Sequence, residues 1–149
     1  MKNFEFKSQV VTSIEQSKRL LELGIKKETA DCRHWAYIKN SKGNPIPKRN
    51  QKWVTRIGTD ESAQVCGFMA ATFIPAWSLH RLMEIIQNNE KQISYILDRE
   101  ELTIEWFDDG GWKNKFFRRI ENTYDRMISC IEYMLKEGLI NPDYLEEKK

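Results

Sequence analysis

The stretch that decides the fold is residues 65–86, Val-Cys-Gly-Phe-Met-Ala-Ala-Thr-Phe-Ile-Pro-Ala-Trp-Ser-Leu-His-Arg-Leu-Met-Glu-Ile-Ile, an apolar segment in an otherwise charged chain. Its first half is typical of a β-strand. Pro75 has no amide proton to donate to a sheet ladder, so we expect the strand to end there or to lie at a sheet edge. The segment therefore predicts a strand followed by a helix.

The second half carries the signals of a helix start. Ser78 is a good N-cap, and Trp77 and Leu82 are placed to form a hydrophobic staple across it. The apolar residues that follow recur at i, i+3, i+4 and i+7, the spacing of one helix face: Leu79, Leu82, Met83 and Ile86. This pattern predicts an amphipathic helix that buries those four side chains.

After this helix the pattern is typical of strands. Residues 93–97 and 102–107 are rich in β-prone side chains, and Asp109-Gly110 favours a two-residue hairpin turn of type I′. In that register Phe107 lies opposite Trp112 as an aromatic pair. We expect the returning strand to end near Phe117.

A first helix is predicted before the central stretch. Residues 12–15, Thr-Ser-Ile-Glu, fit a capping box, so the helix should begin at Ser13. Gly24 should end it in a left-handed conformation, with Ile25 contacting Leu20 in a Schellman motif.

A last helix is predicted after the hairpin. Asn122 or Thr123 opens it, and apolar residues follow the 3.6-residue period until Gly138. Leu139 and Met134 stand in the same Schellman relation as the pair at the end of the first helix.

The remaining strand signals lie in the N-terminal half. Residues 34–38 and 53–57 are β-prone and are separated by a long, basic connection that contains glycine, asparagine and proline. Alternating Phe4 and Phe6 indicate a short strand. Residues 59–62 fit either a helix cap or a turn.

Together these signals predict one α+β domain that spans residues 1–149, with a frayed tail from about Glu146. We expect an antiparallel sheet of about four to six strands with three main helices packed on it.

The amino-acid composition is typical of a folded globular protein with a highly charged surface. Of its 149 residues, 40% are hydrophobic and 31% charged, and the net charge is +2. The three cysteines are widely spaced and form no C-x-x-C pair, so a reducing cytoplasm is the simplest setting. The charged N-terminal residues do not resemble a signal peptide, and the longest uncharged run predicts core rather than a membrane span.

The clearest functional signal is charge segregation in residues 33–56. No acidic residue lies between Asp31 and Asp60, whereas basic and aromatic side chains alternate there. Lysine and arginine release counterions from phosphates, and aromatic rings stack on unpaired bases. The predicted nucleic-acid-binding residues are Lys48, Arg49, Lys52, Trp53 and Arg56. The structural alternative is a solvated basic loop whose tryptophans belong to the core.

An acidic block complements this segment. Residues 84–109 hold eight carboxylates against one lysine and one arginine. Opposite blocks can pair within the fold or between subunits, so self-association is a second hypothesis.

Catalytic and metal-binding signals are weak. Cys32 and His34 form at most half a metal site, and no second such pair completes it. The adjacent Asp108 and Asp109 are explained by turn chemistry. No phosphate-binding glycine loop, nucleophile elbow or H-E-x-x-H motif occurs. We therefore expect no cofactor and no metal, and an enzymatic function has no support in the sequence.

Three segments carry a family resemblance: residues 15–31, which include Leu-Leu-Glu-Leu-Gly; residues 74–82, Ile-Pro-Ala-Trp-Ser-Leu-His-Arg-Leu; and the end of the last helix, Tyr-Met-Leu-Lys-Glu-Gly at 133–138. They resemble a family of small uncharacterised proteins of phages, prophages and other mobile elements of gut anaerobes. The resemblance implies a mobile-element protein and supplies no activity or site residue.

The expected function is a non-enzymatic binding or protein-interaction module acting in the cytoplasm. Nucleic-acid binding through residues 33–56 is the alternative, and an enzyme of unrecognised type comes third. The expected partner is a protein, with homo-oligomers or nucleic acid as the other candidates, and no membrane is involved.

Overall fold

A computed structural model describes residues 9–58, 70–98, 101–118 and 122–148. The helices are α1 (Ile14–Glu22), α2 (Leu79–Gln87) and α3 (Thr123–Lys136). The strands are β1 (Cys32–Lys39), β2 (Val54–Ile57), β3 (Ala70–Ala76), β4 (Ser94–Leu97), β5 (Glu101–Asp108) and β6 (Gly111–Arg118). The expected strand at Phe4 and Phe6, and the undecided residues 59–62, lie outside the described residues.

The fold is α+β, as the sequence predicts, but its six described strands form two sheets rather than one. The N-terminal sheet has the order β2-β1-β3 and the C-terminal sheet the order β4-β5-β6, and every pairing is antiparallel. Each sheet is built around a central strand, β1 or β5, whose two edges are occupied by neighbours from its own half of the chain.

The main core lies between the helices and one face of the C-terminal sheet. Leu102, Ile104 and Trp106 point inward from β5 and share a buried cluster with the apolar faces of α1, α2 and α3. An ion pair between Arg19 and Glu132, with an Nη2–Oε2 distance of 2.7 Å, also joins α1 to α3. A smaller cluster of Val11, Cys32 and Ala76 attaches the N-terminal sheet.

The central stretch forms the predicted strand, cap and helix where it is described, but the helix buries Ile85 besides Leu82 and Ile86, whereas Leu79 and Met83 are only partly buried. β3 continues one residue past Pro75 and, among the described strands, lies at the edge of its sheet, which satisfies the constraint of the missing amide. Ser78 caps α2 by accepting a hydrogen bond from the Arg81 amide at 3.2 Å. Trp77 and Leu82 are fully buried in the main core.

The start of α1 differs from the predicted capping box by one residue. Ser13 is the N-cap, and its partner is Gln16 rather than Glu15: the Gln16 amide donates to Ser13 Oγ, and the Ser13 amide donates to Gln16 Oε1. The Thr12 hydroxyl is used elsewhere. It accepts from the Trp77 amide at 3.0 Å and is hydrogen-bonded to Ser17 Oγ at 2.8 Å.

The hairpin has the predicted register but a different turn. Phe107 lies opposite Trp112, with ring centroids 5.6 Å apart in an edge-to-face arrangement. Neither Asp109 nor Gly110 has a positive φ angle, so the turn is not type I′. The positive φ, +119°, is at Gly111.

Both predicted Schellman motifs are present. The Ile25 amide donates to the Leu20 carbonyl at 3.1 Å, and the Leu139 amide to the Met134 carbonyl at 2.8 Å. The segment after α3 then pairs with the segment after α1: Leu145 bridges Ile25, and the Glu146 amide donates to the Gly24 carbonyl at 2.8 Å. The tail is predicted to fray from about Glu146, but the amide of Glu146 itself is held by this hydrogen bond.

Candidate interaction surfaces

The predicted nucleic-acid-binding residues lie along the connection from β1 to β2 and on β2 itself. A turn over residues 48–50 carries Lys48 and Arg49, Lys52 and Trp53 precede β2, and Arg56 lies within it. All five are exposed, and Trp53 retains 37% of its surface. The ion pairs found within the described chain include none of these basic side chains.

The connection is held in place by its own hydrogen bonds. Asn40 Oδ1 accepts from the amides of Lys42 and Asn44, both at 3.0 Å. The Ile46 amide donates to the Ile38 carbonyl at 2.8 Å, so the later part of β1 pairs with residues that precede β2. The two tryptophans of the segment differ: Trp35 is buried, whereas Trp53 is partly exposed. Nucleic-acid binding by this segment stays a prediction.

The acidic block forms its ion pairs locally. Glu84 pairs with Arg81 on its own helix, and its carboxylate also lies 3.2 Å from His80 Nε2. Asp108 accepts from Lys91 at 3.0 Å and from Lys113 at 3.2 Å, and together with the Asp109 amide these bonds lower the pKa of the Asp108 carboxyl. Within the described residues the two blocks thus do not neutralise each other.

Sequence reasoning missed the outer face of the C-terminal sheet. Cross-strand partners point to the same side of a sheet, and Ile104 points into the core, so the odd-numbered residues of β5 and their partners point outward. Large apolar side chains on this face are exposed: Ile96 (62%), Phe107 (61%), Trp112 (74%) and Phe116 (53%).

Side chains on this face, which we call the outer face, form cross-strand rows, and three of these rows span its exposed apolar residues. The first row is Ile96, Thr103 and Phe116, the second is Ser94, Glu105 and Asn114, and the third is Phe107 and Trp112. Glu105 is exposed and belongs to none of the ion pairs in the described chain. A single carboxylate thus lies between two apolar rows.

The sequence contains a signal for this face, but it is ambiguous. Aromatic residues alternate with lysines in Trp-Lys-Asn-Lys-Phe at 112–116, which would ordinarily place the aromatics in the core. The structure instead points Lys113 and Lys115 to the core side, where the Lys115 ammonium lies 5.3 Å from the Tyr133 ring centroid. Phe117, next along β6, fills the core position opposite Leu102.

Asp31, Cys32 and Ser78 lie close together at the start of α2 and have a structural role. The Ser78 amide and hydroxyl both donate to the Asp31 carboxylate, which fixes the start of α2. Burial, reinforced by the neighbouring Asp31, raises the pKa of the Cys32 thiol. A raised pKa disfavours the nucleophilic thiolate, so Cys32 has the character of a core residue.

His34 is likewise held by structural hydrogen bonds. Its Nε2 lies 2.7 Å from the Thr12 carbonyl oxygen, which can only accept, so Nε2 carries the proton. Its Nδ1 is hydrogen-bonded to the Thr55 hydroxyl at 2.9 Å. Both ring nitrogens are occupied, which leaves none to complete a metal site with Cys32.

One open groove of about 700 Å³ lies beside α2. Arg81 and Glu84, which are paired, line it together with Glu28, Thr29 and Gln87. At its other side Asn88 Nδ2 donates to the Tyr144 hydroxyl at 2.7 Å. The Arg81–Glu84 and Asn88–Tyr144 pairs are thus already engaged with each other, which reduces what these four groups offer a ligand.

Two classes of site find no support in the described part of the chain. No three His, Cys, Asp or Glu side chains there converge to hold a metal ion. None of its helices has the length and apolar character needed to cross a membrane. Comparison of the chain with known protein families, with functionally described proteins and with solved structures gave no match.

Proposed function

We propose that the protein is a protein-interaction module that binds its partner on the outer face. The observation that carries the proposal is the exposure of Ile96, Phe107, Trp112 and Phe116 on one side of one sheet. Large exposed apolar side chains grouped on one sheet face are typical of binding sites, and aromatic residues supply most of the affinity at such sites.

The three rows also specify the chemistry of the partner. Glu105 is unpaired and exposed between apolar rows, so it favours a lysine or arginine flanked by apolar side chains. Successive rows are two strand residues apart, which matches the alternate side chains of an extended segment. The partner is thus a protein segment with a basic residue between two apolar residues at alternate positions.

The test is a selection of random displayed peptides against the purified full chain. The expected result is enrichment of the pattern apolar-x-basic-x-apolar. The selected peptides should bind Trp112→Ser and Phe116→Ser at least tenfold more weakly than the wild type, a loss of about 1.4 kcal/mol of binding free energy or more. Glu105→Lys should reverse the charge preference.

Ile57→Ser is the matched control, because Ile57 is an equally apolar side chain, 91% exposed, on the other sheet. Retained binding by this variant supports the outer face as the site. No enriched peptide, or peptides that bind the tryptophan and phenylalanine variants unchanged, would overturn the proposal. So would a dimer in sedimentation that Trp112→Ser dissociates, since the occupant would then be a second copy.

A further inference from the structure

The N-terminal sheet contains a buried arginine without a counterion. Arg33, on β1, retains 7% of its surface, and its Nε has no hydrogen-bond partner. The ion pairs of the described chain do not include it. Arginine stays protonated in proteins, so this charge cannot be relieved by loss of a proton.

The neighbours of Arg33 increase the positive charge rather than offset it. Its partner on β2 is Arg56, and its partner on β3 is Pro75, so a second guanidinium stands directly opposite on the same face. Like charges in this position destabilise a sheet unless a third group joins them. Arg56 is exposed, so the pair is accessible from solvent.

A further unused donor lies next along the same face. Trp35 is two residues after Arg33, and its buried indole Nε1 also has no hydrogen-bond partner. The Trp35 ring packs edge-to-face on Tyr37, with centroids 5.0 Å apart, and Phe73 is its partner on β3. The face thus combines two cations, an unpaired indole N–H and an aromatic wall.

From this juxtaposition we infer that the Arg33–Arg56 pair is a binding site for a phosphate group. A phosphate monoester carries a charge of about −1.5 to −2 and three acceptor oxygens, which match two guanidinium groups and one N–H donor. The exposed Lys48, Arg49 and Lys52 on the adjoining connection add positive charge that attracts such a group. The site lies on the other sheet from the outer face, so it does not depend on the proposed function.

The phosphate has two possible sources, and both present the same oxygens: a free phosphate or nucleotide, and the backbone of a single-stranded nucleic acid. Binding of inorganic phosphate, adenosine monophosphate and a twelve-nucleotide oligothymidylate should be measured on the full chain by calorimetry. If inorganic phosphate and adenosine monophosphate bind as tightly as the oligonucleotide and compete with it, the site is assigned to small phosphates. Much tighter, salt-dependent binding of the oligonucleotide assigns it to a nucleic-acid backbone.

In either case Arg33→Gln and Arg56→Gln should each weaken binding of the tightest probe by tenfold to a hundredfold, because each removes a charge-assisted contact. Lys42→Gln, a change in an exposed residue of the same basic connection, should weaken it less than threefold. Trp35→Phe keeps an aromatic ring but removes the indole N–H, so it should also weaken binding of that probe.

A stability measurement separates this role from a structural one. The bound probe should raise the unfolding temperature of the wild type but not that of Arg33→Gln, and the exposed Arg56→Gln serves if Arg33→Gln fails to fold. Absence of binding by all three probes would overturn the inference. Equal binding by wild type, Arg33→Gln and Arg56→Gln would do the same.

Discussion

Replacement of Thr12 by valine should be among the most destabilising single changes that leave side-chain shape intact. Thr12 is fully buried, and its hydroxyl accepts the Trp77 amide at 3.0 Å and shares a hydrogen bond with Ser17 Oγ at 2.8 Å. Valine fills the same space but leaves both groups without that partner in the protein interior. A buried polar group that loses its partner costs about 1–3 kcal/mol, so the loss for the two groups should total about 2–6 kcal/mol.

The assay is urea unfolding of purified variants, followed by circular dichroism and fluorescence and fitted to two states. Thr55→Val is the matched control: the same substitution on an exposed strand residue removes only a hydrogen bond to His34 and should cost less than about 1 kcal/mol. Ser17→Ala in the Thr12→Val background should cost less than it does alone, since the hydroxyl it removes has already lost its partner.

The reasoning is refuted if Thr12→Val unfolds within about 0.5 kcal/mol of Thr55→Val, a spread typical of substitutions away from any special feature. Additive effects of Thr12→Val and Ser17→Ala would show that the two hydroxyls do not interact.

Three further changes test other parts of the structure. Ser78→Ala removes the α2 cap and a donor to Asp31, and should lower the free energy of unfolding by about 1–2 kcal/mol; an unchanged urea midpoint would contradict this. Gly138→Ala, at a φ of +66° with open space around the added methyl group, should cost about 1–2 kcal/mol from backbone strain alone, whereas Gly110→Ala, without a positive φ, should be nearly neutral by the same measurement. The lowered pKa of Asp108 means that its ion pairs stabilise the fold above the ordinary aspartate pKa of about 3.9 and lose that contribution as the pH falls through the lowered value. Between pH 5 and pH 2 the wild type should therefore lose more stability than Asp108→Asn, and parallel pH profiles would count against the pairing.

Local signals in the sequence identify the elements well. Gly24, Gly138, Ser78 and Pro75 act through their own backbone geometry or hydrogen bonds to near neighbours, so each predicted boundary is confirmed to within a residue. The aromatic register of the last hairpin follows from its turn length in the same way.

What depends on distant residues is not visible in the sequence. The cap of α1 shifts from Thr12 to Ser13 because the Thr12 hydroxyl is engaged by Trp77, far along the chain. The division of the strands into two sheets depends on which strand edges pair with one another, and the same sequence composition would suit one sheet or two.

The candidate sites show the same limit. The exposed positions of Lys48, Arg49 and Lys52 agree with a charged loop, as expected from composition. Arg33 belongs to the same basic segment, residues 33–56, yet its place in the central strand β1 buries it. For the outer face, alternation identifies two sides of β6 but does not tell which side the helices cover, because that depends on the packing of α3.

The pairing of residues 144–146 with residues 24–26 constrains how the fold is reached during synthesis. The Lys26 amide donates to the Tyr144 carbonyl, and the Glu146 amide to the Gly24 carbonyl, so the end of α1 receives its partners only after α3 has been made. A chain emerging from the ribosome can form each helix and hairpin early, but this closure waits for residue 146. Interruption of translation before that residue would leave the backbone groups after α1 solvated and exposed to proteases.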